Sequence, residues 1–239
     1  MRLFKIISSI SILFLLFHDP LYAQAHYNAW FRGTVSASLH PKMRMEAEVQ
    51  HRRQNGFENH NMLHKPLMHS FRTWIHYQHN DALRFSVSPF ACFSNNGIIQ
   101  QKEDEWLLPN HEIRFTAAIE LKKPLMHKLH YIIRPGIEYR WFRERNDKIS
   151  RARNKFGLKY EIAKKLNALV YDELLLNVSG VSSDHFFDHN RLGVLMEYKL
   201  SQKIKAELGY IYIHRLPLKH DIYLAENNAI MNITYHLYK

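Results

Sequence analysis

A chain of 239 residues with 33 Lys and Arg against 22 Asp and Glu carries a formal net charge of +11, and its one cysteine, Cys92, excludes an intramolecular disulfide framework. The length suits one large domain. No Pro/Gly/Ser-rich linker divides it, and no run of twenty apolar residues provides for a membrane-spanning helix.

Residues 1–25 read as a secretory signal peptide. Arg2 and Lys5 precede a mostly apolar run from Ile6 to Phe17, followed by Asp19-Pro20 and the small residues Ala23 and Ala25, after either of which cleavage is expected. The run is too short to span a bilayer, and no cysteine at either point offers a lipid anchor. An exported basic chain meets anionic lipid headgroups and acidic glycans first, so no nucleic-acid partner is expected.

Residues 26–239 then form one domain with a period of two. From Tyr27 to His40 the odd positions Tyr27, Ala29, Phe31, Val35, Ala37 and Leu39 are apolar, and only Trp30 breaks the polar set. The second run opposes Met43, Met45, Ala47 and Val49 to Arg44, Glu46, Glu48, Gln50 and Arg52. Runs from Leu67, Leu83, Ile113, Leu129, Ala152, Ala168, Leu192, Ile204 and Ala229 repeat the alternation, eleven in all, each about eleven to fourteen residues long. Strands with one apolar and one polar face produce this period, and the length fits a tilted crossing of a bilayer better than a soluble sheet. Short connections such as Asn80-Asp81 and Ser201-Gln202 interleave with long polar ones such as Asn55 to Pro66 and Asn95 to Pro109. That is the layout of an all-β, antiparallel up-and-down transmembrane barrel of 10–12 strands.

Alternation alone does not tell a membrane barrel from a soluble periplasmic lipocalin-like barrel with an inward apolar face. Aromatic residues near the strand ends favour lipid. Tyr77, Tyr131, Tyr160, Tyr198 and Tyr235 lie toward the short turns, and Tyr27, Phe93, Tyr139, Trp141, Phe156 and Tyr212 toward the long loops, as two interfacial girdles require. Eleven runs conflict with the even strand number of bacterial barrels, so either a twelfth strand hides near Ile222 to Leu224 or one run lies outside the wall. Pro89 and Pro135 each remove a ladder donor in mid-strand, which predicts a bulge at each.

Several short signals recur in order along the chain: Trp30, Arg52-Arg53, Tyr139-Arg140, Arg151-x-Arg153, Asp172-Glu173, Arg191-x-Gly193 and Gly209-Tyr210. On these the chain resembles the bacterial outer-membrane barrel family catalogued as domain of unknown function 2490. The resemblance covers nearly all of the mature chain and implies the outer membrane of a Gram-negative bacterium. It carries no established activity or catalytic residues. Many outer-membrane barrels finish on an aromatic residue, whereas Lys239 follows Tyr238 here. The surroundings expected are outer-membrane lipid and lipopolysaccharide, with the barrel assembly machinery acting during insertion, and no cofactor is expected.

Three constellations could carry function. The polar face supplies Arg44, Glu46, Glu48, Arg52, Arg72, Glu112, Arg114, Arg134, Glu138, Arg140, Arg151, Arg153, Lys155, Glu173, Arg191, Glu197, Lys205 and Glu207. These line either a narrow pore that prefers anions or a lumen that they fill by pairing, which makes the protein a structural or binding component of the envelope. Cys92 falls in the same register as an inert small residue. Asp184, His185, Asp188 and His189 in one loop are candidate metal ligands, with solvation as the plainer reading. Finally, His51 and His69 fall on the apolar register of neighbouring strands near the long loops, where a lipase or deacylase would place its base. Neither has an obvious serine in register, so no enzyme is expected, and contact with lipid phosphate or solvent is the plainer reading.

Overall fold

The computed structural model describes residues 25–218 and 222–237. The expected leader up to residue 24, both cleavage points as they bear on it, and the Tyr238-Lys239 terminus lie outside the described residues. Among those residues eleven strands form the wall: β1 (Ala25–His40), β2 (Met43–Gln54), β3 (Lys65–Gln78), β4 (Leu83–Asn95), β5 (Asn110–Met126), β6 (Leu129–Phe142), β7 (Asp147–Ala163), β8 (Leu166–Ser179), β9 (Phe187–Lys199), β10 (Ile204–Arg215) and β11 (Leu224–His236). Two short 3-10 turns, Lys102–Trp106 and Ser183–His185, sit in the long loops. Each strand pairs antiparallel with its sequence neighbour, and the sheet closes on itself.

Closure settles the odd strand count differently from either expectation. After ten reversals β11 runs in the same direction as β1, and the two pair in parallel from Ala25↔Ala225 to Ser36↔His236. No run is left out of the wall, and Leu224 opens β11 rather than a further strand. Side chains reinforce this seam. Asn28 Nδ2 donates to Asn228 Oδ1 at 3.0 Å and to Glu226 Oε2 at 3.0 Å, and Arg32 Nε donates to Asn232 Oδ1 at 3.2 Å.

The two prolines behave differently. At Pro89 the register shifts against both neighbours, between Ser88 and Ala91 on the β5 side and between Arg72 and Ile75 on the β3 side. This is the expected bulge, and it reverses the parity of the rest of β4. Ala91 and Phe93, expected toward lipid, face inward with 0% and 6% exposure. Cys92 and Ser94 consequently turn outward, so Cys92 does not line the lumen and Phe93 is no part of a girdle. Pro135 makes no bulge. It pairs with Asn154, and on the β5 side the pairs Ala118↔Gly136 and Leu121↔Ile133 keep one register while the rungs between them lapse. A missing donor therefore costs the ladder rungs there without an inserted residue.

The outward positions form an exposed apolar belt, for example Val35, Val49, Val87, Ile137, Val170, Val194 and Leu208. Tyr77, Tyr160, Tyr198 and Tyr235 stand out from it toward the short turns, and Tyr139, Trp141 and Tyr212 toward the long loops. The inner face is not uniformly polar. Trp30, Leu169, Tyr171, Leu195, Ile211, Ile213 and Ile230 pack together inside the barrel. Glycines on the same face make room for them: a Cβ on Gly193 would meet the Tyr171 ring at 2.4 Å, and one on Gly209 would meet Leu195 at 2.4 Å.

Candidate functional site

The inner face holds a chain of alternating charges. Glu112 accepts paired hydrogen bonds from Arg114 (2.5 and 2.9 Å) and from Arg140 (2.6 and 3.1 Å). Arg140 reaches on to Asp188 at 3.8 Å, Asp188 pairs with Arg151, and Arg151 donates to Glu138. Glu138 also receives Arg153, which bonds Glu173 at 2.6 Å, and Glu173 ends the chain on Arg191 at 3.2 Å. Burying a carboxylate is costly unless cations and donors replace its water, and here Glu112 and Glu138, both at 0% exposure, each have at least two guanidinium partners.

Several of these contacts cross the lumen instead of following the wall. Arg72 on β3 approaches Glu138 on β6 at 3.8 Å, and Arg140 on β6 reaches Asp188 on β9. The Arg191 guanidinium of β9 lies 5.8 Å from the Trp30 ring of β1, and Arg134 of β6 lies 5.4 Å from the Trp74 ring of β3. Arg52 stacks over the Trp30 ring at 3.5 Å from its centroid, and Lys155 rests 3.5 Å over Tyr171. Arg52, Arg134 and Lys155 make no ion pair among the described residues.

Toward the short turns the pairs are more solvated. Arg44 holds Glu46 at 3.0 Å, Arg32 holds Glu48 at 3.4 Å and Glu207 at 3.8 Å, Lys205 holds Glu207 at 2.6 Å, and Lys159 holds Glu197. At the other mouth the long loops are tied over the rim. Gln54 Nε2 donates to the Gly97 carbonyl at 2.9 Å, and Glu105 accepts the Phe57 N–H at 3.0 Å and pairs with Lys65 at 3.1 Å. These bonds hold the Glu105 carboxyl below the usual carboxylate range, the Phe57 N–H being the largest cause.

The four metal candidates do not converge. Asp188 belongs to the inner charge chain and His189 is buried beside it at 3.1 Å, whereas Asp184 is exposed in the loop and His185 lies near the Ser182 hydroxyl at 3.2 Å. Asp188 is thus one of the inner-face charges that sequence reasoning assigned to a loop. Among the described residues no group of three or more His, Cys, Asp or Glu side chains is arranged to hold a metal.

The outer wall carries a second feature, of which the sequence reading picked out only His51 and His69. The pairing registers align Phe31, His51, His69, Ser94 and His111 across β1 to β5, and the N–H of Arg143 then bonds the His111 carbonyl at 2.9 Å. His51 and His69 touch through their Nδ1 atoms at 3.1 Å. Glu144 accepts from His111 twice, from ring Nδ1 at 2.5 Å and from the backbone N–H at 2.9 Å. The ring bond is the larger reason that the Glu144 carboxyl lies below its ordinary range. Beside this polar row an apolar groove of about 830 Å³ opens on the wall, lined by Val49, Phe71, Cys92, Ile113, Met231 and Ile233 as well as by the row itself. The signal that could have located Ser94 was Pro89, whose bulge moves that serine from the inner register to the outer one.

Comparison with known proteins gives two findings. The family model described as "Protein of unknown function (DUF2490)" matches residues 27–220. Among solved structures, one described as "NanC porin structure in rhombohedral crystal form" is similar with a TM-score of 0.55 and 12% sequence identity, over 89% of this chain and 99% of that one. At that identity the likeness concerns the fold. No curated protein matches the chain.

Proposed function

The chain belongs to the DUF2490 family of proteins of unknown function, and from this membership and its porin-like barrel we propose that it is a structural barrel of the Gram-negative outer membrane whose lumen is shut by its own side chains. The observation that carries the reading is the set of contacts across the lumen, Arg72 to Glu138 and Arg140 to Asp188, with the apolar cluster around Trp30 filling the opposite side. An open pore needs a continuous column of water, and paired groups within 4 Å across a barrel interrupt it. The exposed apolar belt and its flanking tyrosines support placement in lipid, with outer-membrane lipid and lipopolysaccharide around the wall and the barrel assembly machinery acting during insertion.

Two measurements test this. The protein should fractionate with outer membranes and resist extraction by carbonate or urea, whereas recovery from soluble periplasm revives the lipocalin-like barrel. In planar bilayers the purified protein should give no steady conductance. A second reading, a narrow anion-preferring pore, is favoured by Arg52, Arg134 and Lys155, which make no direct ion pair among the described residues. Small anion-selective currents, with a reversal potential that moves toward cations when Arg140 and Arg153 are changed to Glu, would select that reading over the shut barrel.

A further inference from the structure

The outer wall brings a serine, a histidine and a glutamate into the order that ester hydrolysis requires. Ser94 and His111 are direct cross-strand partners on the outward face, a relation that sets Cβ atoms about 5 Å apart. His111 in turn gives its Nδ1 to Glu144 at 2.5 Å, which fixes the tautomer with Nε2 as the basic nitrogen. The Ser94 hydroxyl has no hydrogen-bond partner among the described residues, and nucleophile-to-base bonds commonly tighten only when substrate is bound. Ser94 and His111 line the apolar groove, whose volume of about 830 Å³ lies within the usual ~300–1,000 Å³ of ligand sites. Arg143, at the end of the same row, makes no ion pair among the described residues and lines the groove.

We propose that Ser94, His111 and Glu144 form a Ser–His–Glu site on the outer wall that hydrolyses fatty acyl esters of lipids, the acyl chain lying in the groove beside Phe71, Cys92 and Ile113. The Ser94 oxygen adds to the ester carbonyl carbon while its proton passes to His111 Nε2. Collapse of the adduct breaks the acyl C–O bond, and that proton leaves with the alcohol. Water then adds to the acyl-serine by the same route, with its proton again taken by His111, and returns Ser94 with release of the fatty acid. Glu144 is a positioning residue that orients His111 and stabilises its cation. The Arg143 guanidinium supplies positive charge for the carbonyl oxygen as it becomes anionic. His111 is assigned as the base over His69 because His69 spends its Nδ1 on His51 and has no carboxylate partner among the described residues. The inference goes beyond the structural reading and is independent of whether the lumen conducts.

The test uses the purified full barrel in detergent with a p-nitrophenyl acyl ester, and then mixed micelles of phosphatidylethanolamine or of lipid A as separate arms. Hydrolysis of the p-nitrophenyl ester and of one of the two lipids is expected, and the arm that is cleaved identifies the source of the acyl group. Ser94→Ala and His111→Ala should each lower the rate by roughly a hundredfold or more. His79→Ala, an exposed histidine in the short turn between β3 and β4 and outside the groove lining, should leave it nearly unchanged. Glu144→Gln should lower kcat with KM little altered, and Glu144→Asp should recover part of the loss. Heat-modifiable gel mobility reports that each variant is folded, and a fluorophosphonate should label wild type on Ser94, mapped by mass spectrometry. Absence of both hydrolysis and the Ser94 adduct in folded wild type overturns the site, as does activity that survives in Ser94→Ala. Cleavage of the p-nitrophenyl ester with both lipids left intact overturns the lipid assignment.

Discussion

His111 and Glu112 are neighbours in β5, and they stand on opposite sides of the wall in opposite circumstances. Glu112 is fully buried among four guanidinium contacts, whereas His111 is exposed and its ring holds a single carboxylate. The contrast extends across the molecule. Inner carboxylates are shared between cations of different strands, so that each side chain is fixed by several others, while the outer row from His51 to Arg143 is sparsely partnered and borders a groove. Mutual pairing gives rigidity and leaves little capacity for a ligand, and sparse pairing leaves groups free to act on one.

The comparison can be broken first from the inside. Glu138→Ala removes the acceptor shared by Arg151 and Arg153 and approached by Arg72, and leaving Arg72 without a carboxylate and Arg151 and Arg153 with one each should cost about 3 kcal/mol in urea unfolding of the refolded barrel. A loss under 1 kcal/mol would mean that water enters the lumen freely enough to replace the carboxylate. From the outside, Val194→Arg places a cation on the exposed belt of β9, and if that position lies near the bilayer midplane it should cost roughly 2–4 kcal/mol in lipid vesicles. A neutral result would mean that the belt does not face hydrocarbon. The smallest effect is expected for Lys155→Met, since Lys155 contacts the Tyr171 ring and makes no ion pair among the described residues. Replacing a half-buried cation that makes no direct ion pair by an apolar side chain of similar length should leave the urea midpoint unchanged or raise it slightly. A marked loss would show that the cation–aromatic contact matters more than its desolvation.

Much of the fold was legible because a period of two over eleven runs has few other physical causes, and because long and short connections alternated in step with it. What was not legible depends on single residues. Pro89 signals a bulge, but the count of inserted residues, and with it the face that Cys92 and Ser94 adopt, is decided by pairing with β3 and β5. The same uncertainty hid the outer row, since His69 and His111 flank Ser94 only after the parity reverses. Pro135 shows the opposite outcome from the same chemistry, a lapse in pairing with no shift. Leu169, Leu195 and Ile211 sit on the register of the charges, so alternation alone could not reveal the apolar cluster around Trp30. Closure between β1 and β11 lies beyond local pattern altogether, because it joins residues about two hundred positions apart.

The contrast between the two faces rests on the orientation of β4 above Pro89, and the single cysteine gives direct access to it. Cys92 should be labelled with an environment-sensitive fluorophore in the barrel reconstituted in vesicles, and its quenching compared between nitroxides on lipid acyl chains and a water-soluble quencher. Quenching by the acyl-chain nitroxides, with little effect of the aqueous quencher, is the predicted result. Quenching by the aqueous agent alone would put Cys92 in the lumen, return Ser94 to the inner face, and contradict the account.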